Sequence, residues 1–376
     1  MTLTTDQKTL LAAQFDARPE GAYLDTGSIG LVPRDVRDAL VTAAQALGGG
    51  TTGAPHWQAE VAATTALLAD EFGVEPAQLG FFATTSEAIN ATARAIPWAP
   101  GEEVLTFGDD FPAVRLPWRG LGAAVHCVDI APGAGDERTQ ALIGALGPRT
   151  RVVCVAQVHA GTGTVIDLAR LGAACRANGT WLVVDGAQGA GLAPADLAGV
   201  DVYVATGYKW LLAGFGISLI ITGARFHAQA RPGLLSYGNA PPATGLIYGH
   251  RNLYGIYAMG AAARLRQCFG RAAIRQRTAQ LAGRLAEGLA AMGLEPVGAE
   301  SPRAGIVSVA VDDPEAAVAL CRAAGVHVAA RSGLLRLTPY FYTAESEIDH
   351  ALGVLQGGLR SGQILPRNTD RQEAQL

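Results

Sequence analysis

Two short segments of this chain, Arg151–Gln157 and Trp181–Asp185, are apolar at nearly every position rather than at every second one. A strand with one wet face alternates in polarity, so near-continuous apolar runs belong to strands covered on both faces, the situation of a parallel sheet between layers of helix. The helical pattern Leu168–Asn178 between them is the crossover such a pair requires. The same alternation runs from about residue 60 to 225. Val61–Phe72 and Ser86–Ile96 read as helices; Glu103–Phe107, Ala124–Val128, Val200–Ala205 and Ile217–Thr222 read as strands. The expected fold class is therefore α/β, with a mainly parallel sheet covered by helices. A hydrophobic content of 49% and 47 glycines suit a large core joined by tight turns.

The pattern changes after about residue 250. Gly255–Met292 reads as one long helix, followed by a strand (Gly305–Val311), a helix (Pro314–Ala324), two strands (Val326–Ala329 and Leu334–Thr338) and a last helix (Glu345–Leu359). That is a smaller α+β unit. The expected division is a large domain over 20–250, a small domain made of 1–19 and 251–362, and a flexible tail over 363–376. The Gly- and Pro-rich stretch Arg231–His250 is expected to be an ordered loop.

Several function classes are disfavoured. A net charge of −4 and a pI near 6 provide no pull toward nucleic acid or an anionic membrane. The five cysteines are scattered without a CxxC pair and the seven histidines are dispersed, so no metal is expected and the thiols suit a reducing, cytoplasmic setting. The first residues lack a basic region followed by an apolar stretch, so no signal peptide is expected. The longest apolar run, Trp210–Thr222, is broken by Gly214 and Gly216 and is too short to cross a bilayer. A nucleotide-binding α/β protein is the alternative class, but neither GxGxxG after an early strand nor GxxxxGK[ST] is present.

Only two of the 29 cationic Lys and Arg side chains are lysine: Lys8, in a polar N-terminal stretch, and Lys209, in Thr206-Gly-Tyr-Lys-Trp-Leu. Arginine stays protonated and cannot replace lysine where a free amine attacks a carbonyl. Lys209 is thus either a Schiff-base lysine or one whose stem packs on apolar surface while its ammonium reaches water. In open α/β sheets ligands bind beyond the carboxyl ends of strands. Asp185 ends a strand 24 residues before Lys209, and either caps the next helix or holds a protonated pyridine nitrogen. Thr84-Thr-Ser-Glu-Ala-Ile-Asn opens a helix, whose free N–H groups and hydroxyls suit either a simple cap or a phosphate.

Thr84–Asn90, Val184-Asp-Gly-Ala-Gln and Thr206–Leu211 together resemble the class V aminotransferase group of fold-type I pyridoxal-phosphate enzymes, which includes cysteine desulfurases, kynureninase and isopenicillin N epimerase. Tyr23-Leu-Asp-Thr-Gly-Ser-Ile-Gly and Leu334-Leu-Arg-Leu-Thr-Pro-Tyr-Phe-Tyr-Thr add to the resemblance, which spans about residues 20 to 360. It implies a seven-stranded-type sheet, pyridoxal 5′-phosphate as cofactor, a small amino-acid substrate, and a homodimer with its active site at the subunit boundary. It further implies that Lys209 is the catalytic, cofactor-linked lysine and that Asp185 pairs with the ring nitrogen. Gln188 would bond the ring's phenolic oxygen, Phe111 would stack on the ring, and Thr85, Ser86, Thr206 and Tyr208 would hold the phosphate. Arg336 would grip the substrate carboxylate. Ser28, His56 and His159 stand as substrate contacts, each with an ordinary packing role as its alternative.

There are departures. Desulfurases carry a reactive cysteine on a loop before the carboxylate-binding arginine; Arg331-Ser-Gly-Leu-Leu-Arg336 has neither loop nor cysteine, so persulfide chemistry is not expected. Where relatives place a Gly-Thr from the neighbouring subunit on the phosphate, this chain has Gly249-His250-Arg251-Asn252, which makes His250 the candidate. The reaction is expected at the α and β carbons of the substrate. β-Elimination, as C–S cleavage of a cysteine conjugate, is the leading reading; transamination and epimerisation are the alternatives.

Overall fold

A computed structural model describes residues 4–122, 124–129, 135–231, 233–239, 245–298 and 304–367. Part of the loop 231–250 and most of the expected tail, residues 368–376, lie outside these. Twelve strands and twelve α-helices are present among the described residues. The strands are β1 (Ala22–Tyr23), β2 (Leu79–Phe82), β3 (Glu103–Phe107), β4 (Ala124–Val128), β5 (Thr150–Ala156), β6 (Trp181–Asp185), β7 (Val202–Thr206), β8 (Ser218–Thr222), β9 (Val307–Val309), β10 (Val326–His327), β11 (Ala329–Arg331) and β12 (Leu334–Leu337). The helices are α1 (Thr5–Gln14), α2 (Arg34–Gly48), α3 (Ala54–Phe72), α4 (Thr85–Ala95), α5 (Pro112–Arg119), α6 (Gly135–Ala145), α7 (Leu168–Ala177), α8 (Ala224–Gln229), α9 (Leu253–Phe269), α10 (Arg271–Ala290), α11 (Pro314–Ala323) and α12 (Glu345–Arg360).

The main sheet has seven strands in the order β2-β8-β7-β6-β5-β3-β4. All neighbours from β7 to β4 run parallel, while β8 runs against both β7 and β2. Every residue of β6, β7 and β8 is buried. The unbroken apolar runs in the sequence follow from this: each face of the sheet carries its own core. One contains Leu182, Val184, Tyr203 and Leu219; the other contains Trp181, Val183, Val202, Val204 and Trp118. Burying each such side chain contributes roughly 1.5–3 kcal/mol. Because β4 lies outside β3 and β5 lies on the other side of it, the chain reverses its direction of winding between β3 and β5, which opens a crevice at the strand carboxyl ends.

A three-stranded antiparallel sheet, β11-β12-β9, and the parallel pair β1–β10 build a second core with α10, α11 and α12 around Leu285, Leu289, Val307, Leu335 and Ile348. The expected helix Gly255–Met292 is two helices: Gly270, at φ +81°, closes α9 and opens α10. Ile256, Met259 and Leu265 of α9 belong to the first core, as does Phe15 after α1, while the second core begins along α10 at Leu281. Beyond residue 251 the buried side chains of the second core thus begin within α10, and the segment before residue 20 touches both parts, Phe15 in the first core and Arg18 on Glu347 of α12 at 2.6 Å. No helix among the described residues is long and apolar enough to cross a membrane.

Candidate active site

Lys209 sits on a turn that leaves β7 and returns as β8. Gly207 donates to Ile217 O, Leu212 to Lys209 O at 3.1 Å, and Ala213 to Gly207 O. Leu212 takes φ +60°, a left-handed conformation that costs a branched residue energy and persists only when its surroundings hold it. They do. Tyr340 Oη donates to Trp210 O at 2.9 Å, Arg266 Nη1 to Leu211 O at 2.6 Å, and Trp210 Nε1 to Gln188 Oε1 at 2.7 Å. Arg266 is itself paired with Glu71 at 2.6 Å, both side chains buried. Gly30 lies against the turn so closely that a Cβ there would fall 2.2 Å from Lys209 O, which only glycine avoids.

The amine enters a cleft of about 300 Å³ walled by Gly27, Ser28, Thr85, Asp110, Phe111, Asp185 and Arg336 among others. Burial lowers the Lys209 pKa to about 8; Asp185 pulls it up, and Arg336 and Arg331 push it further down. A useful fraction of the amine is thus unprotonated near neutral pH. Asp185, 5% exposed, accepts from Ala187 N at 2.8 Å and has no arginine or lysine nitrogen within 4.0 Å among the described residues. Burial raises its pKa, and the charge of Lys209 works against that rise. Arg336, 1% exposed, donates Nη1 to Ala160 O at 3.0 Å and Nη2 to Ser28 Oγ at 2.7 Å and Asp25 Oδ1 at 3.4 Å. Burial brings its pKa down to about 10, with Asp25 opposing. Its Nε is buried without a hydrogen-bond partner. A buried donor left unpaired costs about 1–3 kcal/mol, which an incoming carboxylate would recover.

The expected residues fall into three groups. Ser28, Thr85, Phe111, Asp185, Gln188, Tyr208, Lys209, Arg336 and His159 all line the cleft. Phe111 precedes α5 and lies with its ring centre 5.9 Å from the Lys209 amine; Tyr208 is at 5.7 Å and stacks on Phe215. The Gln188 amide is clamped, donating to Gly27 O at 2.9 Å and accepting from Trp210. Ser86, exposed in the first turn of α4, and Thr206, buried at the end of β7, are adjacent to lining residues but not themselves walls. His56 and His250 are exposed and do not line the cleft; His250 packs on Tyr237.

His159 is in place but not free. Its Nδ1 meets Thr162 N and Oγ1, at 3.2 and 3.0 Å, and its Nε2 faces Asp109 at 3.4–3.5 Å. Asp109 is in turn forked by Arg138 at 2.9 Å on both oxygens, and Arg138 lies 4.0 Å over the Phe107 ring. Burial pushes the Asp109 carboxyl up, but the Arg138 bonds and charge outweigh it and leave the group below its usual range. Sequence reasoning missed Asp110, Arg138, Arg331 and Ser332 at or behind this wall. The pair Asp109-Asp110 before Phe111 was the available signal; Arg138 had none, being one arginine among many.

No cysteine lines the cleft, and no cluster of three or more potential metal ligands occurs among the described residues. The cleft does fit a pyridoxal phosphate: a buried amine of lowered pKa, a buried carboxylate with no cation paired to it, and a helix start. Thr84 caps α4 by accepting from Glu87 N, which leaves the Thr85 and Ser86 N–H groups without intrahelical acceptors, as suits an anion.

The family model for aminotransferase class-V matches residues 22–350. An isopenicillin N epimerase of Amycolatopsis lactamdurans is 31% identical over 61% of this chain and 60% of its own length. A kynureninase of Deinococcus radiodurans is 28% identical over 66% of each. The matched region therefore spans about 60% of the length of the epimerase. Among solved structures, a cysteine desulfurase of Thermococcus onnurineus superposes with a TM-score of 0.86 at 20% identity, covering 96% of this chain and 99% of that one. A cystine C–S lyase bound to cysteine persulfide superposes with a TM-score of 0.85 at 23% identity, covering 91% and 99%. These two are likenesses of fold. The chain belongs to the class-V aminotransferase family, whose cofactor is pyridoxal 5′-phosphate.

Proposed function

We propose that this chain eliminates a leaving group from the β carbon of an α-amino acid, acting as a C–S lyase on a cysteine conjugate. The observation that carries the reading is that the buried Lys209 amine and the unpartnered Arg336 Nε belong to residues that wall one cleft, while both nitrogens of His159 beside them are engaged. Bound pyridoxal phosphate supplies an electron sink for the pair left at Cα. Asp185 would hold its ring nitrogen, the start of α4 with Thr85 and Ser86 its phosphate, and Phe111 its face. Gln188, already clamped by Gly27 and Trp210, has one N–H left, which would bond the ring oxygen.

Arg336 orients the substrate by its carboxylate through the unpartnered Nε, and Nη2, now on Ser28 and Asp25, completes the fork once the carboxylate replaces one of those acceptors. Lys209 Nζ then takes the Cα proton, a role its lowered pKa supports. The Cβ–S bond breaks with its electron pair leaving on sulfur, which takes the proton that Lys209 removed and departs as a thiol, and the enamine released adds water to give pyruvate and ammonia. Both His159 nitrogens are engaged by Thr162 and Asp109, which disfavours His159 as the second base that inversion at Cα would need. The similarity to isopenicillin N epimerases is the specific point in favour of epimerisation.

The cofactor-loaded protein incubated with S-substituted cysteines should release pyruvate, ammonia and thiol in equal amounts. Keto acid without ammonia would replace the reading by transamination, and Cα deuterium uptake with inverted product by epimerisation. We also infer a homodimer: Phe111 and Phe215, 55% and 67% exposed near the cleft, are apolar surface a second copy would cover. His250, which does not line its own cleft, would serve the neighbour's. The five free thiols support a cytoplasmic location.

A further inference from the structure

We propose that Asp110 is the proton-bearing member of a carboxyl pair and that its neighbour Asp185 carries the pair's single negative charge. This rests on the reading of the cleft as a cofactor site. Asp110 follows β3, and its Oδ2 accepts from Ala156 N at 3.1 Å, at the end of β5. Ala156 is the register partner of Asp185 across the parallel pair β5–β6. The two carboxyls therefore stand over the ends of adjacent strands, a spacing of about 5 Å between backbones. Both line the cleft and both are buried, Asp110 at 3% exposure.

What surrounds Asp110 decides which of the two is charged. Arg138, from α6, spends its fork on Asp109, and no arginine or lysine nitrogen lies within 4.0 Å of Asp110 among the described residues. Asp109 on its own segment and Asp185 across the strands add negative charge; the Cys154 thiol of β5 is held protonated by burial; His159 is kept neutral by burial. The Lys209 amine acts on Asp185 alone, whereas the cation that acts on Asp110 is Arg138, already forked by Asp109, and Asp110 otherwise has one backbone donor and two anionic neighbours. Two buried like charges cannot both be held cheaply, so the proton goes to the one whose nearby cation is already neutralised by another carboxylate. Burial accordingly raises the Asp110 pKa to about 7. Asp185 then offers a full charge to a cationic ring nitrogen, and above neutral pH ionised Asp110 adds a second charge behind it.

The test uses the full chain with carboxyl-13C aspartate, without and with pyridoxal phosphate. In the free protein one carboxyl signal should titrate near neutral pH, vanish in Asp110→Asn, and move to lower pH in Asp185→Asn. Pyridoxal phosphate affinity should differ less than twofold between wild type and Asp110→Asn at pH 6, where Asp110 is already neutral. At pH 8.5 the variant should bind about three- to tenfold more weakly, for want of the second charge. An Asp110 signal titrating in the ordinary carboxylate range, or an equal loss of affinity at both pH values, overturns the proposal. Wild-type protein that takes up no cofactor at any pH would instead sink the reading of the cleft, while the free-protein titration would still decide the carboxyl pair.

Discussion

A lysine amine in water keeps its proton to about pH 10; Lys209 releases it near 8 because burial and two guanidinium groups outweigh the attraction of Asp185. Each contribution has a sign that substitution can expose. Asp185→Asn removes an attraction for the ammonium and should lower the Lys209 pKa, while Arg336→Met removes a repulsion and should raise it. The pH dependence of Lys209 modification by an amine reagent, read by mass spectrometry, should show opposite shifts; parallel shifts would mean that charge does not govern this amine. Asp110 makes a prediction about stability. Its folded pKa is raised, so the unfolded chain binds fewer protons between about pH 4 and 7, and this residue's contribution to stability falls across that window as pH rises. Asp110→Asn, which cannot ionise, should therefore gain on wild type by roughly 1 kcal/mol or more at pH 8 relative to pH 4 in denaturant unfolding. Lys209 and Asp185 stood out in the sequence by the scarcity of lysine and by a strand-end position, whereas Arg336 stood out only through the family resemblance of its segment. Asp110 was not, because its character comes from neighbours on β5 and β6 that only the fold assembles.

Elements hold these residues in place. The turn from β7 to β8 depends on Arg266 of α9, which bonds Leu211 O and is paired with Glu71 of α3. Arg266→Met leaves a buried carboxylate alone and should cost about 3–5 kcal/mol, whereas the double change Glu71→Leu with Arg266→Met should recover much of it. Urea unfolding of the three proteins measures this. If the double variant is as unstable as the single, the bond to Leu211 O and not the lone charge carries the cost. The buried strands β5 to β8 were legible because a short, continuous apolar run fits little besides a strand covered on both faces. The helices α2 and α9, and the break between α9 and α10, were less so. The α2 segment has only Val36 and Ala43 fully buried, and Gly270 reads as an ordinary helix glycine until its φ of +81° is seen. His56 and His250 are exposed on the helix and loop that carry them and do not line this chain's own cleft, so their candidacy rests on a neighbouring subunit or on substrate.

At the scale of the molecule, two cores cooperate in one cleft: the large sheet brings Asp110, His159, Asp185 and Lys209 to its carboxyl edge, and β12 of the small sheet delivers Arg336. The bridge Asp25↔Thr338 joins the two beside Ser28. The exposed Phe111 and Phe215 are expected to be covered by a second copy. Sedimentation should show a dimer, and Phe215→Glu should shift it toward monomer; a monomeric wild type would remove this part of the account. The central claim concerns Lys209, and the rarity of lysine makes it directly testable. The purified chain should be loaded with pyridoxal phosphate, reduced with borohydride, digested and mapped by mass spectrometry. The account predicts one pyridoxyl group on Lys209 and none in Lys209→Ala; label confined to Lys8 or the N-terminal amine, or no label at all, would contradict it.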